Sequence, residues 1–169
     1  MALFGTPEFN SLDDLFLNQL EDLYDAEHRI IRALPKMSEA AKDPQLKQAF
    51  DKHLSETRYQ VERLETIFRS MNRTPERETC EAMKGLLREG EEMIDAKGDP
   101  RIRDAALIAA AQRVEHYEMA GYGTARSLAN QLGRTDAARL LQETLNEEKA
   151  ADRTLTGVAE SSVNLHAMR

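Results

Sequence analysis

Four glutamates, each on a different apolar stretch, are the residues best placed to do chemistry: Glu27, Glu56, Glu115 and Glu148. On a helix that turns about 100° per residue, Phe16, Leu20, Leu23 and Leu34 fall within about 40° of Glu27. With Glu115 as origin, Ile108, Ala111, Met119 and Tyr122 lie within about 40°, and Glu118 shares that face one turn on. With Glu148 as origin, Ala137, Leu141, Leu155 and Ala159 lie within about 20°. Three carboxylates therefore sit near the centres of three apolar stripes. Glu56 is less central. Its stripe (Leu46, Phe50, Val61, Leu64, Phe68) is centred about 110° away, with His53 and Gln60 between the two, so Glu56 reads as an edge residue and His53 as the more inward one.

An ionised carboxylate in an apolar core costs several kcal/mol unless it is paired or bound to a metal. Arg63 shares nearly the same face as Glu56 and offers a salt bridge there. Four inward carboxylates are harder to neutralise by arginines or by protonation. A pair of divalent cations would do it: hard, oxygen-favouring ions held by carboxylates and an imidazole, with positions left open for substrate. The competing reading is a polar network made of protein alone. His116 lies off the Glu115 face, His28 points sideways and His166 falls in a tail. Tyr24 and Tyr122 could donate hydrogen bonds to the carboxylates.

The elements that must position these groups are legible from their punctuation. "SLDD" at 11–14 reads as a capping box, with Ser11 the cap and Asp14 reaching back. "DP" at 43–44, "TP" at 74–75 and "DP" at 99–100 each offer a cap followed by proline at the first helical position. "LGRTD" at 132–136 stops one helix at Gly133 and caps the next at Thr135. The spacing predicts helices over 12–42, 44–71, 75–97, 100–132 and 136–160, with a kink at Pro35. Short turns join the first two and the last two into antiparallel hairpins, and the shorter third helix crosses an end or side. The fold class is all-α: a four-helix bundle with an additional crossing helix, one domain over 1–169 with the bundle at about 12–160.

Composition narrows the classes of function. A chain of 169 residues with 8 Gly, 5 Pro and 31% charged residues reads as one helical domain. Its net charge of −7 argues against nucleic acid or anionic lipid as partner. No apolar run suits a membrane span, and the opening "MALFGTPEFNSLDDL" lacks the features of a signal peptide, so the cytoplasm is the expected compartment. Cys80 is the one cysteine; it makes no intrachain disulfide and no four-cysteine iron site, and the third helix is expected to lie outside the chemistry.

"DLYDAEHRI", "HLSETRYQVERL", "RDAALIAAAQRVEHYEMAGYGTA" and "LLQETLNEEKAADRTLT" together resemble the YciF-type family of ferritin-like stress-response proteins. The resemblance covers the chain after about residue 11. It implies a ferritin-like bundle, a homodimer, and the two-iron site of the ferritin and rubrerythrin superfamily, built from Glu and Glu-x-x-His on facing helices. Carried onto this sequence, Glu27, Glu56, Glu115 and Glu148 take the four glutamate positions, and Glu118 resembles a second carboxylate that rubrerythrins place there. The sequence departs from the pattern at Tyr59 and Ala151, where the two histidines would stand. His53 and Asp152 are the replacements on offer, which makes the metal ligands Glu27, His53, Glu56, Glu115, Glu118 and Glu148. Gln60, Asp152 and Tyr122 are outer or alternative ligands.

Two functions follow as expectations. One is a di-iron oxidoreductase, with manganese or another divalent cation as alternative, that reduces oxygen or peroxide or oxidises ferrous iron with an electron donor from outside the chain. The other is a catalytically idle, dimeric stress-response scaffold that keeps the polar core.

Overall fold

Ser11 starts the first helix as the spacing predicts: its hydroxyl accepts a hydrogen bond from Asp14 N at 3.1 Å. Asp14 reaches back as well, but to the amide of Asn10 at 2.9 Å instead of that of Ser11. The computed structural model describes residues 8–168; residues 1–7, on which much of the signal-peptide reading falls, lie outside the described residues. Helix α1 spans Leu12–Ala40 and continues through Pro35. Helix α2 spans Pro44–Ser70, and the Asp43 carboxylate accepts from Gln45 N and Leu46 N. Its end is closed by Asn72 at φ 54, with Arg73 N donating back to Phe68 O, the left-handed stop that asparagine tolerates. Helix α4 spans Pro100–Gln131, capped by Asp99, and Gly133 at φ 68 ends it.

The first, third and fifth helices end two or three residues short of the expected bounds, at Ala40, Ile94 and Val158, and two starts depart as well. Helix α3 spans Glu81–Ile94, with no turn of helix begun at Pro75. Residues before it are strapped across α1: Arg77 and the Cys80 amide both donate to Asp25, and Asn18 donates to Glu78 at 2.8 Å. Those bonds hold a segment without regular structure, extended at Cys80, and the Cys80 thiol caps the helix by accepting from Met83 N at 3.3 Å. Helix α5 spans Thr135–Val158, so Thr135 is its first residue and not its cap. The chain beyond it stays helical, through a π-helical turn at Ala159–Val163 and a short α6 at Asn164–Ala167, where His166 lies.

Helices α1 and α2 pack as one hairpin and α4 and α5 as the other; α2 meets α5, and α1 meets α4. Helix α3 packs on α4 and α1, on the side of the bundle and not across its end. The apolar core falls into two clusters. One holds Phe16, Leu20, Leu64, Phe68, Ala129 and Leu141; the other holds Ile30, Leu34, Phe50, Met83, Leu107 and Leu155. Each cluster burying several large side chains contributes in proportion to its apolar area, about 1.5–3 kcal/mol per fully buried Leu, Ile or Phe. Along every long helix the boundary between the clusters falls at the inward polar residues. Glu27 separates Leu23 from Ile30, and Glu148 separates Leu145 from Leu155. A polar layer thus divides two dry halves. No helix among the described residues is long and apolar enough to cross a membrane.

Candidate metal centre

Helix α2 brings His53, α4 brings Glu115 and Glu118, and α5 brings Glu148 into that layer, all four buried. One ligand atom from each lies within 4.8 Å of those of the others. His53 Nε2 is 3.3 Å from Glu115 Oε1 and 3.8 Å from Glu148 Oε2, without the alignment of a hydrogen bond. Glu27, from α1, is fully buried beside Glu118, and the Tyr122 hydroxyl donates to its Oε1. Gln60 donates its amide to Glu148 Oε1 and, at 3.1 Å, to Glu147 Oε2.

Helical periodicity therefore aims Glu27, Glu115 and Glu148 inward, and the bundle closes them on one another. Glu56, expected with them, is not in the group of four. It keeps 23% of its side chain exposed and binds Lys52 Nζ at 2.5 Å. Its position at the stripe edge turns it toward water, and Lys52, one turn earlier, holds it there. Glu56 still lines a narrow cleft with His53 and Glu115, at the seam of α2 and α5. Asp152 is not in the group either: Gln112 donates to it at 3.0 Å and His116 Nε2 lies 3.3 Å away, on the outer face of α4 and α5. Tyr24 donates to Glu65 and not to the site carboxylates. His28 stacks edge-on against Tyr24.

Arg63 does not serve Glu56. It makes a two-pronged bond to Glu147, at 2.6 and 2.7 Å. Glu147 reads as a solvated residue from its helical position, yet it ties α5 to both Arg63 and Gln60 and so steadies Glu148. Nothing within one helix signals this role; it depends on the register of α5 against α2. Asp25 is a second residue that sequence reading missed. Its buried carboxylate accepts from Arg29, Arg77 and the Cys80 amide. Burial pushes that carboxyl up, and the hydrogen bonds from Arg29, Cys80 N and Arg77 outweigh it and hold it below the usual range.

The residues fit a cation on three grounds. First, buried ligand atoms are left without hydrogen-bond partners: Glu27 Oε2, both ring nitrogens of His53, Glu115 Oε2, both oxygens of Glu118 and Glu148 Oε2. Such orphaned groups cost about 1–3 kcal/mol each, and native cores hold few of them without a reason. Second, among the described residues no arginine or lysine pairs with these carboxylates, since Arg63 goes to Glu147 and Lys52 to Glu56, so they lack a counter-charge. Burial, reinforced by the neighbouring carboxylates, pushes Glu27, Glu115 and Glu118 well above their ordinary range, and burial raises Glu148 to about 7. Third, burial, with Lys52 adding to it, lowers His53 to about 4, which leaves a neutral imidazole with a lone pair to give. Oxygen donors with one imidazole nitrogen suit iron, manganese or zinc better than a soft ion.

Comparison with known proteins agrees with this architecture. Residues 11–168 match the family described as Domain of unknown function (DUF892). Protein YciF of Escherichia coli (strain K12) is 48% identical over 158 residues, which cover 93% of this chain and 95% of that protein. The crystal structure of the E. coli stress protein YciF superposes with a TM-score of 0.89, covering 92% of this chain and 99% of that one. YcfI from Rhodopseudomonas palustris is 42% identical, with a TM-score of 0.86 over 90% of this chain and 98% of its own. A two-domain protein from Anabaena variabilis, with DJ-1/ThiJ/PfpI-like and ferritin-like domains, shares the fold alone: 14% identity and a TM-score of 0.61 over 92% of this chain and 38% of that one. The match over nearly the whole chain, on a ferritin-like bundle with a polar middle, places this protein in the DUF892 family, with YciF of E. coli as a relative.

Proposed function

We propose that this protein is a ferritin-like carboxylate-rich dinuclear metal protein of the stress response, with iron as its metal, that reduces oxygen or peroxide or oxidises ferrous iron. The observation that carries the reading is the buried group of His53, Glu115, Glu118 and Glu148, with Glu27 beside it and no arginine or lysine of the described residues paired to it. His53, Glu115, Glu118 and Glu148 would hold one ion, and Glu27 with Glu118 would hold the second. The bound iron supplies one-electron redox chemistry toward oxygen or peroxide. The chain's own residues prepare for it. Gln60 orients Glu148 through its amide, Tyr122 keeps a proton on the hydroxyl that faces Glu27, and the two apolar clusters exclude water from either end. Lys52 and Glu56 stand over the cleft that leads to His53 and Glu115. The homodimer implied by the family resemblance, and the stress role that the description of YciF as a stress protein suggests, belong to this proposal too.

Metal analysis of protein purified without chelator tests it. Wild-type protein should carry iron, or manganese, in near-stoichiometric amounts. The Glu115→Gln, Glu148→Gln double variant should lose most of it, since an amide offers one weaker oxygen and no charge. Equal metal content in the two proteins, or none in either, would hand the polar layer to the scaffold reading.

A further inference from the structure

We propose that the groove between α1 and α3 is a binding site for a small phosphate ester of nucleotide size, separate from the metal centre. The groove has a volume of about 740 Å³, within the usual range for small-molecule sites. Its walls are two parallel ridges. Arg29, Arg32 and Lys36 project from one face of α1, and Lys84 and Arg88 from one face of α3. Five cations line it against two carboxylates, Glu81 and Glu91, and even with Arg29 committed to the buried Asp25 the groove keeps an excess of positive charge in a chain whose net charge is −7. Such a concentration of positive charge runs against the composition of the molecule and raises the local concentration of anions.

The guanidiniums of Arg32 and Arg88 have no carboxylate partner among the described residues. Lys36 pairs with Glu91 at 2.9 Å and Lys84 with Glu81 at 3.1 Å, and all four side chains are more than half exposed. Pairs of that kind are worth about 0–1 kcal/mol, so both lysines are free to exchange partners for a stronger anion. Arginine matches phosphate with a planar, two-pronged set of donors, and two free arginines on opposite walls suit one phosphate group or a diphosphate between them.

The floor supplies a second, independent observation. Ala33 and Gly85 hollow it out, and Leu87 adds an apolar surface. Gly85 lies inside α3, where glycine costs about 0.5–1 kcal/mol relative to alanine. A Cβ placed there would meet nothing within 4 Å, so no neighbouring helix requires the glycine. The missing side chain serves the open groove. An apolar floor between cationic walls accepts a ligand with a flat or apolar body and an anionic end. The α1 ridge from Arg29 to Lys36 runs about 10 Å and the α3 ridge from Glu81 to Glu91 about 15 Å, the length of a nucleoside phosphate. A long nucleic acid would meet repulsion from the rest of an acidic surface, which a short anion escapes.

Titration calorimetry on the full chain, with ADP, adenosine, inorganic phosphate and a short single-stranded DNA as probes, tests the assignment. ADP should bind one per chain, and adenosine and inorganic phosphate each about tenfold more weakly or worse. Arg32→Gln with Arg88→Gln should weaken ADP by at least about tenfold. Gly85→Leu, which leaves every charge in place, should weaken it as much by filling the floor. Lys149→Gln, a cation removed from the exposed face of α5, should leave binding unchanged, and circular dichroism checks that each variant keeps its helices. Absence of saturable ADP binding would overturn the proposal, as would wild-type ADP affinity in the Arg32/Arg88 variant or in the Gly85 variant, or single-stranded DNA binding more tightly than ADP. None of these results touches the metal content, so the two proposals fail separately.

Discussion

Replacing Glu118 with methionine should stabilise the metal-free protein and remove most of the stability that metal confers. In the metal-free protein both oxygens of Glu118 are buried without a hydrogen-bond donor, and Glu27, Glu115 and Glu148 crowd it with like charge. An unmet buried polar atom costs about 1–3 kcal/mol. A proton shared between Glu118 and Glu27 would relieve one oxygen and leave the other unmet. Methionine is unbranched, of similar length and similar helix propensity, and fills the same space with no polar oxygen. Metal-free Glu118→Met should therefore gain about 2 kcal/mol, and a chain of this size then melts about 4–8 °C higher. Wild-type protein should gain instead from metal: about 2.7 kcal/mol at one hundred times the dissociation constant, or about 5–11 °C. The variant, short of one ligand, should lose most of that rise. Scanning calorimetry of chelated and iron-loaded protein, with metal content measured on the same samples, reads both effects. If the metal-free variant melts below metal-free wild type, and metal raises both equally, Glu118 is a structural group and the reasoning fails.

Asp25→Asn should destabilise the protein by about 3 kcal/mol in urea, because Arg29 and Arg77 lose their buried counter-charge. The pH dependence has a definite sign. Asp25 is depressed in the fold, so its contribution is fully present above the unfolded value of about 3.9 and fades as pH falls through the lower folded value. Acid unfolding curves of the Asn variant should therefore be shallower below about pH 4, and equal slopes would argue against the pairing. Cys80→Ser should leave metal content unchanged, since the thiol binds the α3 cap and lies 3.0 Å from the Tyr117 hydroxyl, outside the ligand group. Burial pushes the Cys80 thiol up to about 11, so alkylation by iodoacetamide at pH 8 should be slow in the native protein and fast once it is unfolded. Rapid labelling of folded protein would contradict the burial.

What the sequence determined by itself is direction around each helix. Turning 100° per residue is a local property, so Leu20, Glu27 and Leu34 must share a face whatever packs on them, and the same holds for Ile108, Glu115 and Tyr122. That is why three of the four glutamates, and His53 ahead of Glu56, could be read as inward. Caps are local too, and Ser11, Asp43 and Asp99 occupy them as read. Tertiary structure decided whatever depends on two helices at once. The slide of α5 along α2 gives Arg63 to Glu147, and the contact of α4 with α5 gives Asp152 to Gln112 and His116. The strap from Arg77 to Cys80 lies on α1 because Asp25 waits there, and so α3 begins at Glu81 and not at Pro75. Periodicity fixes an azimuth, but a hydrogen bond needs a height and a partner, and those exist only once the helices have packed.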